Sequence, residues 1–274
     1  MAVISAADVA KLRRVTLAGM MDCKKALEEA DGNFDKAIEI IRKKGQAIAN
    51  KRADRDATEG VVVAKTNGKL GILIVLNSET DFVAKNAEFT DLANKIADLT
   101  LQNAPANLEA LLALPLEGTK VADKIVEFIG IIGEKLELSY YEKVEAEHVQ
   151  AYIHPGSRLA TIVGFTKADV DLQVYKDVAM QVAAMNPVAV DKDSVPEKVI
   201  AQEIEIGKEQ ARRDGKPENM LEKIAQGKLA KFFKESTLLN QEFVKDNKIT
   251  IRDYLQSIDK DLTVVDFKRF TLNI

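Results

Sequence analysis

A nucleophile, a titrating base, a metal-ligand set or a loop that cradles phosphate would announce chemistry, and this chain of 274 residues offers few candidates. Cys23 is the single thiol, in the first turn of an expected helix beside Lys24 and Lys25, where the helix dipole and two ammonium groups favour a thiolate. Nothing in the same helix supplies it with a base, and residue type favours a small buried hydrophobe instead. The two histidines, His148 and His154, have neither cysteine nor acid at ligand spacing, so no metal site is expected. No phosphate-cradling glycine loop of the GxxxxGKS kind is present and no GxGxxG follows a strand, so neither direct nucleotide binding nor a cofactor is expected.

What does stand out is "NSETDFVAKN", directly after the apolar run "LGILIVL". It sets Asp81 and Phe82 side by side at an expected loop tip. Residue type alone favours Asp81 as a turn residue and Phe82 as a core ring, because large apolar groups go inside; the other reading is a ring meant for a partner. Met20 and Met21 pose the same choice, and core packing is again favoured. The basic stretch from Arg42 to Arg55 reads as a solvated face rather than an RNA patch, since no aromatic side chains interleave it.

These residues need elements to hold them. Three short helical patterns fill the first 45 or so residues: one capped by Ser5 with Val9, Leu12 and Val15 on a face, one capped by Asp22 running to Asp31 and Gly32, and one capped by Asn33 ending near Gly45. "QAIANKRADRDATEG" follows as a connecting helix or linker. The segment "EGVVVAKTNGKLGILIVLN" predicts a hairpin of buried strands turning at Asn67 and Gly68, both tolerant of positive φ. A helix follows with Phe89, Leu92, Ile96 and Leu99 on one face.

The plan then recurs weakly. "HVQAYIHPGSRLATIVGF" predicts a second hairpin turning at Pro155 and Gly156, and "VYKDVAMQVAAMNP" a second helix, with Leu159 answering Leu70 and Val182 answering Ile96. Between them "TKVADKIVEFIGIIGEKLELSYYEKV" predicts a helix leading into a strand. From Asp191 to about Glu235 the pattern breaks into two helices joined by "DGKP", the first started by Ser194, Pro196 and Glu197, each arm on the order of 25 Å long. "TVVDFKRFTL" predicts a strand returning to the second sheet.

Composition sets the outer bounds. With 39 basic and 43 acidic side chains the formal charge is −4, which favours a protein partner over nucleic acid as the main one. A lone cysteine fits a reducing compartment, so a cytoplasmic location is expected. No apolar run approaches the roughly 20 residues of a membrane-spanning helix, and the N-terminus lacks a signal core, so no membrane association is expected.

Two long segments, "TLAGMMDCKKALEEADGNFDKAI" and "LNSETDFVAKN", resemble in order and separation the two signature segments of the bacterial translation elongation factor Ts family. "IGEKL", "YIHPGSRL", "KDVAMQVAAMNP", "GKPENMLEKIAQGKLAKFF" and "LLNQEFVKD" extend the similarity over nearly the whole chain. The resemblance implies an α+β fold: a three-helix bundle like a ubiquitin-associated domain at 1–46, a linker at 47–56, and a first core subdomain at 57–140. A related second subdomain would occupy 141–190 and 236–274, interrupted by a coiled-coil helical hairpin at 191–235.

It further implies a guanine nucleotide exchange factor, working without covalent chemistry, for the GTPase elongation factor Tu. By residue-by-residue matching, Thr80, Asp81, Phe82 and Val83 form the exchange motif, Phe82 wedging between GTPase helices near the Mg²⁺ site with Asp81 bonding beside it. Arg13, Met20, Met21, Ile132, Gly133 and His154 are implied as secondary partner contacts, each also explicable as packing or plain surface. Leu17 departs from the family by standing where glycine is usual, and the chain ends soon after "FKRFTL", so a further C-terminal helix of some members is expected to be missing. Whether the chain acts alone, as a homodimer or in a 2:2 complex is left open. A ribosome-associated or RNA-binding factor using the basic stretch and a thiol enzyme using Cys23 are the rival readings.

Overall fold

The computed structural model describes residues 4–272. The chain is α+β, and it divides into two compact units, one built on residues up to Val63 with Ile74–Glu142, the other on Ala64–Leu73 with Lys143–Thr271.

In the first unit α1 (Ala6–Thr16), α2 (Met20–Glu29) and α3 (Phe34–Arg52) bury Leu12, Cys23, Ala26, Leu27 and Ala37 among themselves. Ser5 and Asn33 cap α1 and α3 as expected, accepting from Asp8 N–H and Lys36 N–H. The second cap differs: Gly19 occupies the N-cap of α2, and Asp22, one turn in, pairs with Lys44 of α3. Nor does α3 stop near Gly45. It continues to Arg52, because "QAIANKR" is made of good helix formers and because the glycine serves a crossing, not a break. A Cβ placed on Gly130 would lie 2.6 Å from the Gly45 Cα, so only paired glycines let α3 lie this close to the later helix Val121–Ile132.

Strands β1 (Glu59–Thr66) and β2 (Leu70–Ser78) form the expected hairpin, buried along most of their length. The turn has three residues, Asn67 to Lys69, and only Gly68 takes positive φ, 102°. Asn67 acts through its side chain, whose Oδ1 accepts from the Lys69 and Leu70 amides. A four-residue helix α4 (Asp81–Ala84) replaces the expected loop, followed by α5 (Ala87–Asn103), which buries Phe89, Leu92 and Ile96, with Leu99 half-buried. After α6 (Leu108–Leu112) and the short pair β3 (Pro115–Leu116) and β4 (Thr119–Lys120) come α7 (Val121–Ile132) and β5 (Leu136–Glu145). The sheet order is β1-β2-β5.

In the second unit β6 (His148–Ile153) and β7 (Leu159–Phe165) pair antiparallel, α8 (Leu172–Met185) follows, and β10 (Val264–Thr271) returns antiparallel to β7. The order is β10-β7-β6, so in both sheets the hairpin's second strand sits in the middle and a later strand docks against it. Leu70 and Leu159 each open such a middle strand, and Ile96 and Val182 are each fully buried in the helix that follows.

Helices α9 (Glu197–Arg213) and α10 (Glu218–Ser236) make the antiparallel hairpin, closely packed where Gly207 meets Ala225. Its start departs from expectation: Ser194 belongs to a 3-10 turn capped by Asp191, and Pro196 itself holds the N-cap of α9 without a side-chain bond. At the base Leu238 and Leu239 donate to the carbonyls of Ala189 and Val190, so the arms leave and rejoin the unit at one place. The short pair β8 (Glu242–Phe243) and β9 (Asp246–Thr250) and helix α11 (Ile251–Ile258) complete the unit. Among the described residues no helix is long and apolar enough to cross a membrane.

Candidate functional site

The residues from Ser78 to Lys85 show how β2 ends. Ser78 is buried and its hydroxyl donates to the Thr80 carbonyl, 2.9 Å away, turning the chain out of the sheet. Thr80, extended at φ −124°, is the N-cap of α4, its Oγ accepting from the Val83 amide. Side chains in a helix are spaced by about 100° per residue, so with Ala84 buried the side chain two positions earlier must face outward. That side chain is Phe82. It is 82% exposed, so the expectation of a core ring does not hold.

Asp81 and Val83 are partly covered beside it. The Asp81 carboxylate accepts from Lys85 Nζ at 2.6 Å. That hydrogen bond holds its pKa below the ordinary carboxylate value.

Beneath the turn lies a set of charged contacts that the sequence reading missed. Glu134, immediately after the glycine that ends α7, accepts from the Thr80 amide at 3.0 Å through Oε2 and from the Thr80 hydroxyl at 2.8 Å through Oε1. Glu79 reciprocates, its Oε1 accepting from the Lys135 amide at 2.6 Å. Arg52, the last residue of α3, adds its Nη1 to both Glu79 oxygens at 2.8 and 2.9 Å. The Glu79 side chain is only 16% exposed. Burial by itself would raise its pKa, but the Lys135 amide and the Arg52 guanidinium outweigh that and hold it below the usual glutamate value. The legible signal was an acid at the end of a buried strand, which requires a partner.

Ile132 and Gly133 close α7, both half-buried, with Gly133 left-handed at φ 80° and its amide donating to the Ile129 carbonyl. The structure thus brings Thr80 to Val83 together with Ile132 and Gly133, through Glu79 and Glu134. Met20 and Met21, at the start of α2, are 61% and 64% exposed, so the core-packing expectation fails for them too. Leu17 and Val15 are exposed nearby in the chain, and Leu17 ends α1 at φ 56°. Leucine held left-handed costs about 1–2 kcal/mol. Arg13 is exposed, with its carbonyl accepting the Leu17 amide at 2.8 Å. His154 belongs to the second unit, exposed in the turn after β6, with Nδ1 2.9 Å from the Tyr152 hydroxyl.

The rival sites look different. Cys23 is fully buried, its Sγ directed at the Ala18 carbonyl. In the basic stretch, Lys43 pairs with Glu39, Lys44 with Asp22, Arg42 with Glu127 and Arg52 with Glu79. A cavity of about 150 Å³ lies between α3 and α7, and its charged wall is likewise engaged internally, Lys124 with both Glu117 and Glu127. Among the described residues no three His, Cys, Asp or Glu side chains converge as metal ligands.

Comparison with known proteins places this geometry in context. A family profile described as Elongation factor TS matches residues 79–273. A protein named Elongation factor Ts from Porphyromonas gingivalis is 54% identical over 97% of this chain and 97% of its own length. Namesakes from Christiangramia forsetii and Bacteroides thetaiotaomicron are 50% and 42% identical, covering 99% and 98% of this chain and 100% and 98% of their own.

Proposed function

The chain belongs to the translation elongation factor Ts family, and on that footing we propose that it is a guanine nucleotide exchange factor that binds GDP-bound elongation factor Tu, perturbs its Mg²⁺ and phosphate site, and promotes GDP release. The observation that carries this reading is Phe82, a bare ring on a short helical turn whose base is anchored by half-buried charged contacts. An exposed ring of this size on an ordered support is suited to fill an apolar pocket of a partner. In the partner, phosphate is held by backbone donors, a lysine and a metal ion, so shifting those groups by even about 1 Å removes strong charge-assisted contacts. Asp81, with its Lys85 partner, presents a charged acceptor beside the ring.

Binding energy does all the work here and no bond is made or broken. By linkage, whatever factor the chain takes from GDP affinity, GDP takes from the chain's affinity, so incoming GTP displaces the factor after GDP has gone. Met20 and Met21 with Arg13 on the bundle, Ile132 and Gly133 beside the exchange turn, and His154 on the second unit act as further contacts. We read the architecture accordingly: a ubiquitin-associated-like bundle, two related α+β subdomains, and a helical hairpin inserted in the second. The paired lysines and arginines of α3 and the buried Cys23 favour neither the RNA-binding nor the thiol-enzyme alternative.

The direct test preloads elongation factor Tu with a fluorescent GDP and follows its release in excess unlabelled nucleotide. Catalytic amounts of the chain are expected to accelerate release. A release rate equal to that without the chain would refute the function.

A further inference from the structure

Two segments far apart in the chain carry the exchange turn and the Ile132–Gly133 corner, and they are joined by a reciprocal pair of carboxylates. Glu134 takes both the amide and the hydroxyl of Thr80, while Glu79, the residue before Thr80, takes the amide of Lys135, the residue after Glu134. Each segment therefore supplies the acid that satisfies the other's backbone. Both acids are within reach of amides left over where a secondary element ends, at the exit of β2 and just past the C-cap of α7. Hydrogen bonds from amides to an ionised carboxylate are roughly twice as strong as neutral ones. Arg52 compensates Glu79, so two acids can share this small, half-dry corner without mutual repulsion dominating.

We infer that Glu79 and Glu134 are positioning residues of the exchange turn, a two-carboxylate clasp that orders Phe82 before any partner arrives and locks it to the Ile132–Gly133 corner. The Thr80 hydroxyl serves the clasp and the N-cap rather than a partner. Without the clasp, α4 is a single helical turn, too short to be stable alone, and the ring would sample many orientations. If the binding-competent orientation were then populated about one-tenth of the time, apparent affinity would fall about tenfold. The functional consequence rests on the exchange reading above; the ordering of the turn does not.

The experiment compares the full-length parent, Glu134→Ala, Glu134→Gln, Phe82→Ala and the double variant with Glu134→Ala. Backbone ¹⁵N relaxation reads the amides of Phe82 to Lys85 in the free chain. Their order parameters are expected to fall from about 0.85 to below about 0.6 in Glu134→Ala. Glu134→Gln keeps one acceptor for the Thr80 amide and is expected to be intermediate; it also serves if the alanine variant does not fold. Affinity for nucleotide-free elongation factor Tu is expected to fall about tenfold in Glu134→Ala yet change less than about twofold when the same substitution is made in Phe82→Ala, because the clasp acts through the ring. Unchanged order parameters in both Glu134 variants overturn the clasp. A full tenfold loss in the Phe82→Ala background overturns the positioning role in favour of direct contact. Were the parent chain itself unable to speed GDP release, the exchange reading would fall while the relaxation data still decided the clasp.

Discussion

On the proposed exchange reading, truncating Phe82 should separate folding from function, because the ring is mostly outside its own fold. In the free chain the ring is 82% exposed. A phenylalanine presents on the order of 200 Å², so roughly 40 Å² is covered by its own fold and about 160 Å² is free to be buried by a partner. At about 25 cal/mol per Å², Phe82→Ala should cost the fold no more than about 1 kcal/mol, while the ring's burial in the complex is worth up to about 4 kcal/mol before ordering costs. Allowing for those costs leaves about 2–3 kcal/mol, or roughly a 30- to 150-fold loss. The assay is release of fluorescent GDP from elongation factor Tu at exchange-factor concentrations below saturation, beside a thermal melt of each chain. The expected result is a large drop in the release rate with a melting temperature within a few degrees of the parent's. Parent-like release by a well-folded Phe82→Ala chain would show that the ring is not the wedge; a collapse of the melt would show that it is part of the core after all.

Other consequences concern the scaffold. Gly130→Ala puts a methyl 2.6 Å from the Gly45 Cα, so α3 and α7 must separate, and a loss of about 1–3 kcal/mol is expected by chemical denaturation. Gly227→Ala in α10, where none of the described residues lies within reach of a new methyl, should instead gain up to about 1 kcal/mol; equal effects of the two would contradict the crossing. His148 stacks on Tyr175 with centroids 3.9 Å apart, and among the described residues its buried Nε2 has no hydrogen-bond partner. Burial pushes its pKa below the ordinary 6.5, against a smaller upward pull from the neighbouring Gln150 side chain. The unfolded chain then takes up a proton that the folded one resists, so this contribution is intact above pH 6.5 and lost as pH falls below it through the folded pKa. Melts from pH 7.5 to 5 should show that loss in the second unit, flattened in His148→Phe; an unchanged slope in the variant would rule His148 out as its source.

Several features were legible because their causes are local. Ser5 and Asn33 compete for backbone amides three residues ahead, and Gly68 allows the turn between β1 and β2, whatever the remainder of the chain does. The hairpin arms α9 and α10, the return of β10 to β7, and the burial of Cys23 also follow from pattern and residue type. Misreadings arose where a local signal served a distant purpose. Gly45 looked like a helix end and is a contact with Gly130; Asp22 looked like a cap and is a partner for Lys44. Phe82, Met20 and Met21 follow the apolar-inside rule in type and break it in position. Family resemblance alone singled them out.

The two long hairpins of strands, the principal helices and the family itself were written in the linear chain, since periodicity, turn chemistry and long motif runs depend on neighbours in sequence. The clasp was not. Thr80 meets Glu134 across 54 positions and Glu79 meets Lys135 across 56, and no local preference tells a carboxylate which remote amide it will satisfy. Only the close approach of the end of β2 to the end of α7 makes those acids partners, because a charge leaving water must find its donors wherever the packed chain happens to place them.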